Sequence, residues 1–242
     1  MPGAPMTELA NPFPGEVLED MGEMPNYNDW IVGHFRRHLG GKAAEIGAGL
    51  GTISELLRPH VESLDLIEPT PALAQRLQAK FADDGGCSVA EKTLETWVST
   101  SAGADYDAIV MVNVLEHIED DHAAARGLFD ALIPGGKLLI FVPALPFLFS
   151  ELDRIYGHFR RYRRGQLRIC IESAGFRIDT LHYFDITGVI PWWLLNTLMG
   201  KTSFHQPSLT VYDKLFVPPT KLIESVLPPP LGKNLILIAS KS

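Results

Sequence analysis

Apolar and polar positions change period repeatedly along this chain, and each change marks an element. Residues 43–46 are a short apolar run around one acid that stops at a glycine turn, Gly47, Gly49 and Gly51. Residues 53–57 then take up helical spacing. Residues 63–68, SLDLIE, alternate and end in an acid before Pro69, the pattern of a second strand. Residues 71–81 open with proline and read as a helix, after which Gly85 and Gly86 turn the chain into a third strand at 87–90. Residues 107–112, DAIVMV, form the nearly continuous apolar run expected of a strand buried on both faces. A helix is predicted over 120–132, and Pro134, Gly135 and Gly136 turn it into another apolar strand at 137–142. Strand and helix alternating at this rhythm predict an α/β fold, a doubly wound, mostly parallel sheet with helices on both faces.

The flanking segments extend this pattern. Residues 26–39 place Tyr27, Trp30, Ile31, Phe35 and Leu39 near helical spacing, as an amphipathic helix covering the sheet would. Tyr27 and Trp30 are also candidates to close over a ligand. A helix at 165–173 and a strand at 176–183 follow the central block. Residues 185–200 carry an apolar cluster, Trp192, Trp193, Leu194, Leu195, Leu198 and Met199, broken by Pro191. It is predicted to wall an apolar pocket, with a contact in a homodimer or a membrane-surface anchor as alternatives. Residues 208–227 read as a helix interrupted by Pro218 and Pro219, and 235–239 as a final apolar strand. Residues 1–24, rich in proline, glycine and acids, are expected to be a flexible arm and lack a signal-peptide pattern. One domain is expected over 25–242, with insertions at about 144–164 and 185–230.

Composition narrows the classes. The 242 residues are 46% hydrophobic and 21% charged, enough for one substantial core. A net charge of -8 argues against general nucleic-acid binding. Two cysteines, Cys87 and Cys170, provide no disulfide framework and no metal-ligand spacing, and no metal is expected. No run reaches the roughly 20 apolar residues of a membrane span, so a soluble, cytoplasmic protein is expected.

The glycine turn carries the chemistry. Glycines let the backbone approach a ligand closely, and the following helix aims its free N–H groups at the same place. The spacing is G-x-G-x-G, and Glu45 lies two residues before the first glycine. A carboxylate there repels a pyrophosphate but suits a ligand with a cationic amino-acid end, such as S-adenosylmethionine. Glu68 lies about 20 residues beyond the glycines, where an acid reaches a ribose diol. That second feature also fits NAD; Glu45 and the glycine spacing favour S-adenosylmethionine. Asn113, Glu116 and His117 follow the buried strand at 107–112. Glu116 and His117 read either as an acid/base pair or as a helix N-terminus. Residues 154–164 concentrate Arg154, His158, Arg160, Arg161, Arg163 and Arg164 with Tyr156 and Tyr162. This run reads as a lid whose arginines meet an anionic acceptor, or as a solvated loop.

EIGAGLG, the acid in LDLIEP, YDAIVMVNVLEHIEDD and LIPGGKLLIFVPA together resemble a class I S-adenosylmethionine-dependent methyltransferase. The resemblance implies a Rossmann-like, seven-stranded sheet whose last strand is antiparallel. It implies that Glu45, Gly47, Ala48, Gly49 and Gly51 surround the amino-acid end of the cofactor and that Glu68 with Pro69 holds the ribose. Adenine falls to Thr93, Leu94 or Glu95, with Leu94 taken as the contact. Asn113 and Glu116 would line the floor near the methyl group, and Tyr27 would border the cofactor. The segment from Leu152 to Tyr162 is similar to a bacterial methyltransferase subgroup with a Leu-Asp-Arg…Gly-His-x-Arg-Arg-Tyr pattern, met among genes for glycans, lipids and secondary metabolites. It implies a small-molecule, glycan-like or lipid-like acceptor methylated on oxygen or nitrogen. His158 is the first choice for general base, with His117, Arg161 and Tyr162 as further catalytic candidates. The competing readings are an NAD-dependent oxidoreductase and a non-catalytic binding protein on the same fold.

Overall fold

The computed structural model of the chain describes residues 24–100, 105–202 and 206–242. Helix α1 (Pro25–Phe35) precedes β1 (Lys42–Ile46) and, after the glycine turn, α2 (Thr52–Leu57). Strict alternation follows: β2 (Ser63–Ile67), α3 (Pro71–Lys80), β3 (Cys87–Ala90), α4 (Leu94–Thr100), β4 (Tyr106–Val112) and α5 (Asp121–Ala131). The second half holds β5 (Leu132–Pro143), α6 (Glu151–Ile155), α7 (Arg164–Ser173), β6 (Phe176–Phe184) and α8 (Val189–Trp192). Helices α9 (Gln206–Val211) and α10 (Val217–Val226) lead into β7 (Asn234–Lys241).

The strands form one seven-stranded sheet in the order β3-β2-β1-β4-β5-β7-β6. Strands β1 to β5 pair in parallel, and β7 alone runs antiparallel, inserted between β5 and β6. The apolar runs explain the layering. Ala44, Ile109 and Ile140 pack beneath α4, α5 and α7, while Ala43, Val110 and Leu139 meet α1, α2 and α3 on the other face. A sheet covered on both faces needs strands that are apolar on both sides, and β4 and β7 are of that kind. The order reverses between β1 and β4, so a crevice opens beyond the carboxyl ends of those strands. No helix of the described residues is long and apolar enough to cross a membrane.

Two elements differ from expectation. β5 begins at Leu132, ahead of the Pro134–Gly136 turn, because Tyr106 pairs with Leu132 before the register shifts to pair Ala108 with Lys137. The long helix near the carboxyl end is not broken by Pro218 and Pro219. Residues Tyr212–Phe216 form a wide π-helical turn, and Pro218 and Pro219 fall in the first turn of α10, where a missing N–H loses little. The arm expected over 1–24 lies, apart from Met24, outside the described residues.

Candidate functional site

Beyond the carboxyl ends of β1, β2 and β4 lies one cavity of about 630 Å³, a volume in the range of small-molecule sites. Its first half is built from the glycine turn. Gly47, Ala48, Gly49, Glu45, Glu68 and Pro69 all line it. The Gly49 N–H donates to Glu68 Oε2 and the Thr70 N–H to Glu68 Oε1, both at 2.9 Å. Glu68 therefore shapes the turn as well as facing the ligand space. Glu45 is buried and accepts a hydrogen bond from Ser54 Oγ. Burial pushes its pKa up to about 8, against the opposing pull of that hydrogen bond.

The glycines divide their roles. A Cβ on Gly47 would lie 2.5 Å from Val114 Cγ2 at a φ of +72°, so this position is needed for close packing of the turn on the β4 exit. Gly51 does not reach the cavity: it sits at the N-cap of α2 against Leu77 and Phe81. Thr93, Leu94 and Glu95 form the wall beside β3, and Asn113, at a left-handed φ of +54°, ends β4 on the cavity floor. Tyr27 lines the cavity with its ring against Phe141 and Phe184, and its hydroxyl lies 3.1 Å from both Asp185 Oδ2 and Asn234 Oδ1. Trp30 instead packs on Phe184 in the core, away from the cavity.

The second half gathers residues from the far side of the chain. His117 and His158 line the cavity with ring centroids 4.6 Å apart. His158 Nδ1 is 2.9 Å from Asp153 Oδ1, which also accepts from Arg161 Nε at 2.8 Å. The other oxygen of Asp153 accepts from the Ser150 N–H and hydroxyl in a capping box. Burial opposes ionisation of Asp153, yet the His158 hydrogen bond and the Arg161 charge hold its pKa below the ordinary value. Burial and then the neighbouring His158 lower the His117 pKa to about 3. Glu116 is fully buried behind the two imidazoles instead of lining the floor, and burial raises its pKa to about 8. Arg161 lines the cavity and lies 4.4 Å over the Trp192 ring.

Tyr162 is not brought to this site. It is fully buried in the core, with its hydroxyl 2.9 Å from Asp121 Oδ2, which removes it from the catalytic candidates. Within the basic run, Arg160 pairs with Asp121 at 2.6 Å and Arg154 with Glu151 at 2.8 Å. Only Tyr156, His158 and Arg161 of residues 154–164 line the cavity.

A polar hub here had no signal in the sequence. Asp185, buried and in a left-handed conformation, accepts from the Gly188 N–H and from the Tyr212 hydroxyl and is 3.2 Å from Lys233 Nζ. Lys233 Nζ also faces the rings of Tyr27, Trp192 and Tyr212 at 5.0 to 5.9 Å. Its members come from residues far apart in sequence, with no common spacing. Of the apolar block predicted to wall a pocket, Trp192 and Leu195 line the cavity. Ile190, Trp193, Leu194, Leu198 and Met199 from the same stretch face outward.

Comparison with known proteins places this architecture. A family model described as "Methyltransferase domain" matches residues 35–181. A ubiquinone biosynthesis O-methyltransferase of Erwinia tasmaniensis is 28% identical over 180 residues, covering 66% of this chain and 72% of its own. The protein of the same name from Xanthomonas axonopodis is 21% identical over 182 residues, covering 69% and 74%. Among solved structures, the N-methyltransferase NodS of Bradyrhizobium japonicum, in complex with S-adenosylhomocysteine, superposes with a TM-score of 0.53 at 15% identity. That superposition covers 94% of this chain and 87% of NodS.

Proposed function

The chain belongs to the methyltransferase-domain family, and from that premise we propose that it transfers the methyl group of S-adenosylmethionine to a hydroxyl oxygen of a small, largely apolar acceptor. One observation carries the reading. A single cavity runs from Glu45, Gly49 and Glu68 to His117, His158 and Trp192, so a cofactor at the glycine turn and an acceptor at the imidazoles share one enclosed space.

The first half fits the cofactor. The bare backbone at Gly49 gives room for close approach, and Glu45 offers a carboxylate to a cationic amino-acid end. Each Glu68 oxygen accepts one backbone hydrogen bond and keeps a lone pair for a ribose hydroxyl. Leu94 presents an apolar face to adenine. When bound, S-adenosylmethionine supplies a methyl group already activated on a sulfonium. The protein's share is then positioning and removal of the acceptor proton. The apolar side chains Trp192, Leu195 and Leu209 shape the acceptor half, and Arg161 and Lys233 give it positive charge suited to an anionic substituent. The acceptor proton leaves at the His117–His158 floor. The oxygen acceptor follows the two relatives named as O-methyltransferases.

The test is transfer of labelled methyl from S-adenosylmethionine to phenols carrying alkyl tails, with S-adenosylhomocysteine as co-product. His158→Asn should lower the rate at neutral pH by about a hundredfold or more with cofactor affinity retained. An unchanged rate would remove the imidazole from the reaction.

A further inference from the structure

Glu116, His117 and His158 come from two loops, one after β4 and one after α6, and meet at the acceptor end of the cavity. Each offers one ligand atom, and the three atoms lie within 4.8 Å of one another. We propose that these three side chains bind one divalent transition-metal cation of the zinc class. Two imidazoles and a carboxylate are a ligand set used by catalytic zinc and by open non-haem iron sites.

The surroundings of each ligand support this. Both carboxylate oxygens of Glu116 are buried without a hydrogen-bond partner, a costly arrangement for an acid in the protein interior. Glu116 Oε1 is aimed at His158 Nε2 from 3.9 Å. His158 Nδ1 is held by Asp153, which leaves Nε2 as the ligand atom. A carboxylate behind a metal-bound imidazole is a recurrent supporting arrangement. The His117 ring hydrogen-bonds to the backbone at Gly157 and Tyr156, the other common support for a ligating histidine. The two loops are stapled together by the Phe159 N–H donating to the Glu116 carbonyl at 2.8 Å.

The set has to close around the ion. Ligand atoms at about 2.1 Å from a tetrahedral zinc lie about 3.4 Å apart, so the widest separation, within 4.8 Å here, contracts by at most about 1.4 Å on binding. Glu116 lies behind, while His117 and His158 line the cavity, leaving one side of the cation open to an acceptor oxygen. A hydroxyl bound there loses its proton to water more readily. Its oxygen then bonds to the methyl carbon as the carbon–sulfur bond breaks, with the electron pair kept by sulfur. That use rests on the methyltransferase reading; the binding does not. A second triad among the described residues, Asp121, His122 and Cys170, is a poorer set, because Asp121 is already engaged by Arg160 and Tyr162.

The experiment strips the full chain with a chelator and titrates it with Co²⁺, then Zn²⁺, following visible absorption and heat. S-adenosylhomocysteine is titrated in parallel. The expected result is one equivalent of Co²⁺ with new visible bands, displaced by Zn²⁺. Glu116→Gln, which keeps the shape of the buried side chain, and His158→Asn should each weaken Co²⁺ binding by about a hundredfold or more, beyond the effect of losing a supporting group. His122→Ala should leave it unchanged. Protein that binds S-adenosylhomocysteine but not Co²⁺ overturns the metal site and leaves the methyltransferase reading standing. Co²⁺ binding that survives both Glu116→Gln and His158→Asn, or that is lost with His122→Ala, also overturns it. Stoichiometric Co²⁺ binding lost in those two variants, without S-adenosylhomocysteine binding, upholds the metal site and removes the methyltransferase reading instead.

Discussion

Glu45 retains its proton to about pH 8 because burial outweighs the hydrogen bond from Ser54, and the proposed cofactor binding should therefore be sensitive to pH. A cationic amino-acid end at Glu45 stabilises the carboxylate, so binding below pH 8 releases a proton. Affinity for S-adenosylhomocysteine should therefore rise between pH 6 and about pH 8, and Glu45→Gln should flatten the slope, as read by calorimetry in two buffers. The ligand-free protein moves the other way. A carboxyl whose folded pKa stands near 8 against an ordinary 4.5 contributes stability that is complete below 4.5 and lost as pH rises through 8. Glu116 has the same sign. The Tm of the ligand-free protein should fall from pH 5 to pH 8.5, and a flat or rising profile would contradict the buried carboxyls. The glycines separate fold from binding. Gly47→Ala drives a Cβ against Val114 and should cost about 1–3 kcal/mol of stability, measured by denaturant unfolding. Gly49 faces the cavity, so Gly49→Val should abolish S-adenosylhomocysteine binding.

At the scale of elements, the α8 region and the turns that follow it wall the far half of the cavity, the half proposed to take the acceptor. Trp192 Nε1 donates to the Leu148 carbonyl at 3.0 Å while its ring carries Arg161 and faces Lys233. Trp192→Ala should raise KM for the acceptor several-fold and leave cofactor affinity within experimental error. A loss of cofactor affinity would place Trp192 in the wrong half of the cavity. This region also shows where sequence patterns stop. The strands at 43–46, 63–68, 87–90 and 107–112 were legible because each is a short apolar run punctuated by glycine, proline or an acid. Pro218 and Pro219 read as a break, but the π-helical turn at Tyr212–Phe216 delivers them into a first helical turn. Likewise the Pro134–Gly136 turn reads as leading into a strand that starts at 137, whereas Tyr106 captures Leu132 five residues earlier. Long-range pairing settled both boundaries.

Over the whole molecule, the reversal of strand order between β1 and β4 places the ends of both strands at one crevice. Insertion of β7 between β5 and β6 brings Lys233 and Asn234 to the same opening. The half of the cavity built by the glycine turn was legible in sequence because its residues lie within one strand–turn–helix unit and the end of the next strand. The acceptor half was legible only in part. His158 and Arg161 stood out within a basic run in a chain of net charge -8, and Tyr162 stood beside them but turns into the core. Asp185, Tyr212 and Lys233 are assembled from separate segments and leave no local pattern. The measurement that bears most directly on the account is calorimetric titration of the purified chain with S-adenosylhomocysteine, with NAD as control. Micromolar binding of S-adenosylhomocysteine and no heat from NAD is the predicted result. Binding of NAD, or of neither ligand, would contradict the role given to Glu45 and the glycine turn.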